Sequence, residues 1–87
     1  MKGIVGTALV LALLSGAQVE AAPVNINDAS AEEIAAALQG VGIKRAQQVV
    51  EFREKHGRFR SVDQLREVKG FGGKTFERNR HDIRLHD

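Results

Sequence analysis

The sequence predicts an all-α domain made of two copies of one small unit, each a helix, a tight glycine turn and a second helix. Three observations predict it: a repeated glycine-apolar-glycine triplet, apolar residues at helical spacing on both sides of each triplet, and a serine-initiated helix start before each one. The triplets and the lysine after them recur with a shift of 30 residues, at Gly40, Gly42, Lys44 and at Gly70, Gly72, Lys74. Units too small to bury their own apolar faces are expected to pack together about a pseudo-two-fold axis, over residues 25–86.

Motif one covers residues 31–56 and follows an extended lead-in. Ser30-Ala31-Glu32-Glu33 has the pattern of a capping box, and apolar spacing predicts a short helix over residues 31–38. The run Gln39-Gly40-Val41-Gly42 ends that helix. A second helix is predicted from Lys44 to His56, with Gly57 as a left-handed C-cap.

Motif two covers residues 61–85 and repeats this order. Ser61-Val62-Asp63-Gln64 predicts a second capping box, and Lys69-Gly70-Phe71-Gly72 ends the helix it starts. The last helix has Asn79 where an apolar residue is expected, so it should bury little beyond Phe76 and Ile83. The second hairpin is therefore expected to be less firmly held than the first.

Residues 1–21 are interpreted as a signal peptide. Lys2 precedes an uncharged run of 11 residues, 4–14, whereas a helix needs about 20 residues to cross a bilayer. Cleavage is expected after Ala17 or after Ala21, and an uncleaved anchor is the alternative. The mature domain, residues 22–87, is expected in the periplasm without stable membrane insertion. The absence of cysteine excludes disulfides and a lipid-anchored mature form.

Charge is unevenly distributed along the mature chain. Residues 23–38 carry three acidic side chains and no basic one, whereas residues 39–87 carry twelve basic against seven acidic ones, a net charge of +5. This distribution suits a polyanionic partner. An ordinary solvated surface is the alternative, and charge alone does not decide between the two. A domain of this size leaves little room for a large active-site cleft.

The glycine turns predict a pair of phosphate-binding sites. Reversing the chain in so few residues calls for positive φ, and the turn leaves the first amides of the next helix free at the positive end of its dipole. An anionic oxygen is the natural partner of such amides, while Val41 and Phe71 should turn inward. The candidate phosphate-binding residues are Gly40, Val41, Gly42, Lys44 and Arg45 in the first hairpin, and Gly70, Gly72, Gly73, Lys74 and Thr75 in the second. The alternative is that the glycines only stop helices and the cations are solvated.

No pattern of catalytic residues accompanies these turns. No nucleophile lies beside a base, and His56, His81 and His86 do not have the spacing of metal ligands. The sequence therefore predicts no enzyme activity, no metal site and no cofactor. Whether hairpin carbonyls hold a monovalent cation stays open.

The runs VNINDASAEEIAAALQGVGIKRAQQVV and GRFRSVDQLREVKGFGGKTFE resemble the tandem helix-hairpin-helix domain of the ComEA competence proteins. Gln39 departs from the proline that this family usually has in its first hairpin. The resemblance implies binding of incoming DNA during natural transformation by a periplasmic protein. Contacts limited to phosphates predict that this binding is sequence-independent. Double-stranded DNA is the expected partner, and a preference for single strands stays open. The resemblance also implies the type IV pilus uptake machinery and an inner-membrane DNA channel as partners. The alternative is a protein-interaction module of an exported complex that binds no DNA.

Overall fold

Helices dominate residues 21–87, the part of the chain that the computed structural model describes. The predicted signal peptide, apart from Ala21, lies outside the described residues. The elements in order are strand β1 (Val24–Asn25), helix α1 (Ala31–Ala37), helix α2 (Ile43–His56), a 3-10 helix (Val62–Glu67), helix α3 (Gly73–Asn79), a 3-10 turn (Arg80–Asp82) and strand β2 (Ile83–Arg84). The four helical segments confirm the predicted all-α class. None of the described helices combines the length and the hydropathy needed to cross a bilayer.

The first motif begins and ends close to the predicted positions. The Ser30 hydroxyl accepts a hydrogen bond from the Glu33 amide at 3.1 Å, and the Glu33 carboxylate accepts one from the Ser30 amide at 2.8 Å, so the capping box is present. Ile34 and Ala37 of α1 are buried. Gly57 ends α2 with φ of +86°, which confirms the positive φ, but its ψ of 179° differs from that of a left-handed helical residue.

The second motif starts differently from the first. Its leading segment is a 3-10 helix, and the Ser61 side chain makes no capping hydrogen bond. The Gln64 amide donates instead to the Ser61 carbonyl at 3.2 Å, and the Gln64 side chain accepts from the Arg60 amide at 2.9 Å. The predicted second capping box is wrong, because the tighter 3-10 turn occupies the amide that the serine hydroxyl would have bonded.

Three phenylalanines from separate segments form the centre of the core. Phe59, Phe71 and Phe76 are each at most 1% exposed, and they come from the connection between the motifs, the second turn and α3. Val41, in the first turn, is 3% exposed. The residues between the paired glycines therefore point into the core, as the sequence predicts.

The two ends of the described chain are tied together. Strands β1 and β2 pair in parallel, with Val24 opposite Ile83, a pairing the sequence did not predict. Asn27 accepts a hydrogen bond from the Phe59 amide at 2.6 Å and donates to the Phe59 and Leu85 carbonyls, both at 3.0 Å. The extended lead-in is thus a structural part of the domain.

Asn79 is the polar residue of the core and not a weak point in it. It is 0% exposed, and its side-chain oxygen accepts from the Gln39 amide at 2.7 Å. Its side-chain nitrogen donates to the Gln39 carbonyl at 2.9 Å and to the Thr75 carbonyl at 2.8 Å. Beyond Phe76 and Ile83 this part of the chain buries Asn79 alone, as expected, but the interpretation of Asn79 as a weakness is wrong, because a buried amide with all these partners costs little. We call this arrangement the Asn79 clamp.

Candidate nucleic-acid interface

Hairpin one (residues 39–42) joins α1 to α2. Gly40 has φ of +71°, whereas Gly42 has φ of −76° and is the N-cap of α2. The Gly42 carbonyl accepts the first helical hydrogen bond, from Ala46 at 3.0 Å. The amides of residues 43–45 precede that bond and have no acceptor within the helix, so they are free for an external acceptor. Lys44 and Arg45 are both exposed beside them.

Hairpin two (residues 69–72) repeats this backbone between the 3-10 helix and α3. Gly70 has φ of +87°, and Gly72 has φ of −73° and is the N-cap of α3. No atom lies within 4 Å of the position that a Cβ would take on Gly72 or on Gly73, so this turn is open to close approach. Lys74 is exposed and Thr75 is half-buried.

The need for positive φ applies to the first glycine of each pair and not to the second. Gly42 and Gly72 have extended backbones that any residue adopts, because they are helix N-caps. Because Gly42 and Gly72 have no side chain, the amides of the turn remain uncovered. The positive φ predicted for each turn is thus confirmed, at Gly40 and at Gly70.

Basic side chains from both motifs converge on hairpin two. An open groove there is lined by residues 70–75, which include Lys74, together with Arg45, Arg66 and Val68. A depression beside it is lined by Lys44, Arg45, Gln48, Lys69 and Gly70. The cations that the sequence places after the first hairpin therefore lie next to the second one. The two hairpins form one surface.

Two arginines cross from one motif to the other hairpin. The Arg45 side chain passes over Gly70, with its Cγ 3.4 Å from the position of a Cβ there, and its Nη1 donates to the Gly40 carbonyl at 3.0 Å. Arg78 of α3 lies over hairpin one, with its Nη1 3.0 Å from the position of a Cβ on Gly40. Sequence reasoning selected Arg45 but missed Arg66, Lys69 and Arg78. Lys69 directly precedes a glycine triplet and was detectable, whereas the positions of the other two depend on how the motifs pack.

The cations of this surface have no acidic partners within residues 21–87. The ion pairs in that range both belong to Arg80, which lies 3.1 Å from Asp63 and 3.9 Å from Glu77. Lys44, Arg45, Lys74 and Arg78 have no carboxylate oxygen within 4.0 Å among the described residues. The positive charge at the hairpins is therefore uncompensated, which favours an anionic ligand.

Comparison with known families agrees with this geometry. A model of the helix-hairpin-helix motif matches residues 19–84. An uncharacterized protein from Haemophilus influenzae is 51% identical over 59 residues, covering 68% of this chain and 53% of that protein. ComE operon protein 1 from Bacillus subtilis is 38% identical over 60 residues, covering 69% of this chain and 29% of that protein. The kinesin-like protein KIF22 of Mus musculus is 44% identical over 52 residues, which are 8% of its length.

The paired turns, their buried apolar residues and the family match define the class of protein. The chain belongs to the helix-hairpin-helix family, and within it to the ComEA-like proteins. It spans about half of the Haemophilus relative and less than a third of the Bacillus relative.

Proposed function

We propose that the protein binds DNA without sequence preference, through the phosphates, and retains incoming DNA in the periplasm during natural transformation. The observation that carries this proposal is the single surface on which two hairpins present free turn amides and cations without acidic partners. The helix-hairpin-helix family and the similarity to ComE operon protein 1 support DNA binding in competence.

Phosphate is the ligand that this chemistry fits. The free amides at the start of α2 and in the second turn donate to an anionic oxygen, and Lys44, Arg45 and Lys74 add charge from the side. Each helix of the two motifs packs its apolar face into the core, and what the hairpins offer to DNA are backbone amides and cationic side chains. Contacts limited to phosphates fix the position of the protein but do not read bases. Two sites on one rigid surface suit the phosphates of a duplex.

Retention of DNA follows from binding outside the cytoplasm. DNA that emerges into the periplasm through the type IV pilus uptake machinery would be captured by successive copies, and each bound copy would oppose backward diffusion. The bound DNA would then pass to an inner-membrane DNA channel. This role requires binding and release and no catalysis, so the protein is proposed not to be an enzyme.

Binding to protein instead of DNA is less well supported by the surface. A protein-interaction module is expected to expose an apolar patch. Among the described residues the one large hydrophobic side chain that is exposed is Ile43, at 42%. It lies at the start of α2, beside Lys44, within the basic surface.

The test is the affinity of the purified protein for two unrelated duplexes, measured by fluorescence anisotropy over a range of salt concentrations. Both duplexes should bind alike. With about four to six phosphate contacts, affinity should fall by roughly two to three decades between about 50 and 200 mM salt. The Lys44→Glu/Lys74→Glu variant should lose measurable binding and remain folded, because both side chains are exposed.

The matched control is Lys55→Glu/Arg84→Glu, which makes the same change in net charge at two exposed residues outside the hairpin surface. It should keep most of the affinity. Equal losses in the two double variants would show that net charge, and not the hairpins, governs binding. If the parent protein does not bind DNA at low salt, the proposed DNA binding itself is wrong.

A further inference from the structure

We infer that each hairpin's phosphate site is completed by an arginine of the other motif, with Arg78 serving hairpin one and Arg45 serving hairpin two. This inference rests on the proposed function. It adds Arg78 to the binding surface and makes both sites composite, so that neither motif alone contains a complete one.

Arg78 is placed at hairpin one by direct contact. Its Nη1 lies 3.0 Å from the position of a Cβ on Gly40, which means that the guanidinium rests against the bare backbone of the turn. Arg78 belongs to α3, which follows hairpin two along the chain. The Asn79 clamp joins the next residue of α3 to Gln39, so hairpin one and this part of α3 are held against each other.

Arg45 makes the reciprocal crossing. Its aliphatic stem lies on Gly70, with Cγ and Cδ at 3.4 and 3.9 Å from the position of a Cβ there, and the side chain lines the groove at hairpin two. Its Nη1 donates to the Gly40 carbonyl at 3.0 Å. This bond uses one of the five N–H donors of the guanidinium, and the other four remain for a ligand. The backbone beneath each arginine has a positive φ, which glycine adopts without strain.

The two arginines occupy different positions in their motifs because the sequence repeat is imperfect. The residue equivalent to Arg45, with the shift of 30, is Thr75, whose side chain is too short to cross to the other hairpin. Arg78 lies three residues later, on the same face of α3, and crosses in its place. Each motif therefore contributes one arginine to the hairpin of the other motif, although the two arginines do not occupy equivalent positions in the repeat.

Both guanidiniums lack acidic partners within residues 21–87, whereas the nearby Arg80 has them. Arg80 pairs with Asp63 and lies over the Phe76 ring at 5.1 Å. Two residues apart on one segment, Arg78 and Arg80 thus have different surroundings. An arginine with free donors beside turn amides matches the forked geometry of phosphate recognition.

The first experiment compares Arg78→Gln with Arg80→Gln, which remove the same charge. Arg78→Gln should weaken duplex binding by roughly tenfold and reduce the salt slope by about 0.9, the share of one phosphate. Arg80→Gln should weaken it by no more than about twofold. Arg78→Lys, which keeps the charge and loses the fork, should fall between the parent and Arg78→Gln. Thermal unfolding of each variant checks that it is folded.

The second experiment assigns Arg78 to a hairpin by double-mutant cycles with Lys44→Gln and Lys74→Gln. Residues that share one phosphate should be coupled, so Arg78→Gln and Lys44→Gln together should deviate from the product of their single effects by about fivefold or more. Arg78→Gln and Lys74→Gln should combine within about twofold. Lys74 follows the hairpin of Arg78's own motif, which makes this pair the decisive control.

The outcomes separate this inference from the proposed function. If the parent binds DNA but Arg78→Gln binds like Arg80→Gln, or if Arg78 couples to Lys74 and not to Lys44, the crossed sites are wrong and hairpin-mediated DNA binding stands. If the parent binds no DNA at low salt, the proposed function fails and the crossed sites fail with it.

Discussion

The two hairpins share a backbone and differ in how they are anchored. Their first glycines have φ of +71° and +87°, and their second glycines have φ of −76° and −73°. Hairpin one is fixed by side chains, since Asn79 binds both backbone groups of Gln39 and Arg45 binds the Gly40 carbonyl. In hairpin two the turn closes on itself, through the Phe71 amide and the Val68 carbonyl at 3.0 Å.

This difference shows that the repeat preserves backbone geometry and not the contacts that maintain it. The residue equivalent to Asn79 in the first motif is Val49, which is buried and apolar. The polar member of the pair reaches across to the other motif, whereas the apolar member only fills the core. The Asn79 amide therefore couples the two motifs at hairpin one, in addition to the contacts of Arg45 with Gly70 and of Arg78 with Gly40.

The largest expected effect is that of Asn79→Ala. Truncation removes three hydrogen bonds, leaves the Gln39 amide and carbonyl without their buried partner, and creates a cavity. We expect the free energy of unfolding to fall by roughly 2–4 kcal/mol. Urea denaturation followed by circular dichroism measures it. A loss below about 1 kcal/mol would mean that the clamp contributes little beyond an ordinary surface contact.

Asn27→Ala is the matched control for that variant. Asn27 also makes three hydrogen bonds to backbone groups, two of them to one residue, Phe59, but it ties the chain ends and not a hairpin. Both variants should lose comparable stability. Under conditions in which both remain folded, Asn79→Ala should weaken DNA binding and Asn27→Ala should not. Equal affinities would show that the clamp stabilises the fold without positioning hairpin one.

Local patterns in the sequence predicted the elements of the fold. Glycine triplets, helical apolar spacing and the Ser30 capping box depend on residues within four positions of one another, and all three appear in the structure. The strand pair and the contacts of the two asparagines link residues 32 to 59 positions apart, in segments with no periodic signal. The sequence does not show whether an asparagine is buried with hydrogen-bond partners or exposed to solvent. For this reason Asn79 was interpreted as a defect in the last helix.

The residues of the candidate site also divide into those that a local motif predicted and those that only the packing of the fold brings to the site. Lys44, Arg45 and Lys74 follow their triplets directly, so the motif alone predicted their position beside the turns. Arg78 was missed because its hairpin lies 38 residues away in sequence, and only the packing of α3 on hairpin one brings them together. Residues that complete a site across the contact between the two motifs carry no local signal in the sequence.

An intermediate effect is expected from Gln39→Pro, which introduces the residue usual in the family. Leu38 already has the extended backbone that proline requires of its predecessor, with φ of −102° and ψ of 137°. Proline has no N–H, however, so the 2.7 Å hydrogen bond to the Asn79 side chain is lost. We expect a loss of about 1–2 kcal/mol in the free energy of unfolding.

The same substitution in an Asn79→Leu background isolates the cause. Because leucine at position 79 has no side-chain amide, Gln39→Pro then removes no hydrogen bond to a side chain. The substitution should be nearly neutral, or slightly stabilising because proline lowers the conformational entropy of the unfolded chain. The pair would then show a coupling of about 1 kcal/mol or more in a double-mutant cycle. Equal costs of Gln39→Pro in both backgrounds would mean that strain in the turn, and not the clamp, excludes proline.

The smallest expected effect distinguishes the helix starts that precede the two hairpins. Ser30 caps α1, whereas Ser61 makes no capping hydrogen bond with its side chain. Ser30→Ala should therefore lower the free energy of unfolding by about 1 kcal/mol, while Ser61→Ala should stay within about 0.5 kcal/mol of the parent. Parallel urea denaturation of the two variants measures the difference. Equal losses would mean that the second motif also starts with a capped α-helix in solution, because a serine cap stabilises only a helix whose third amide is free to bind it.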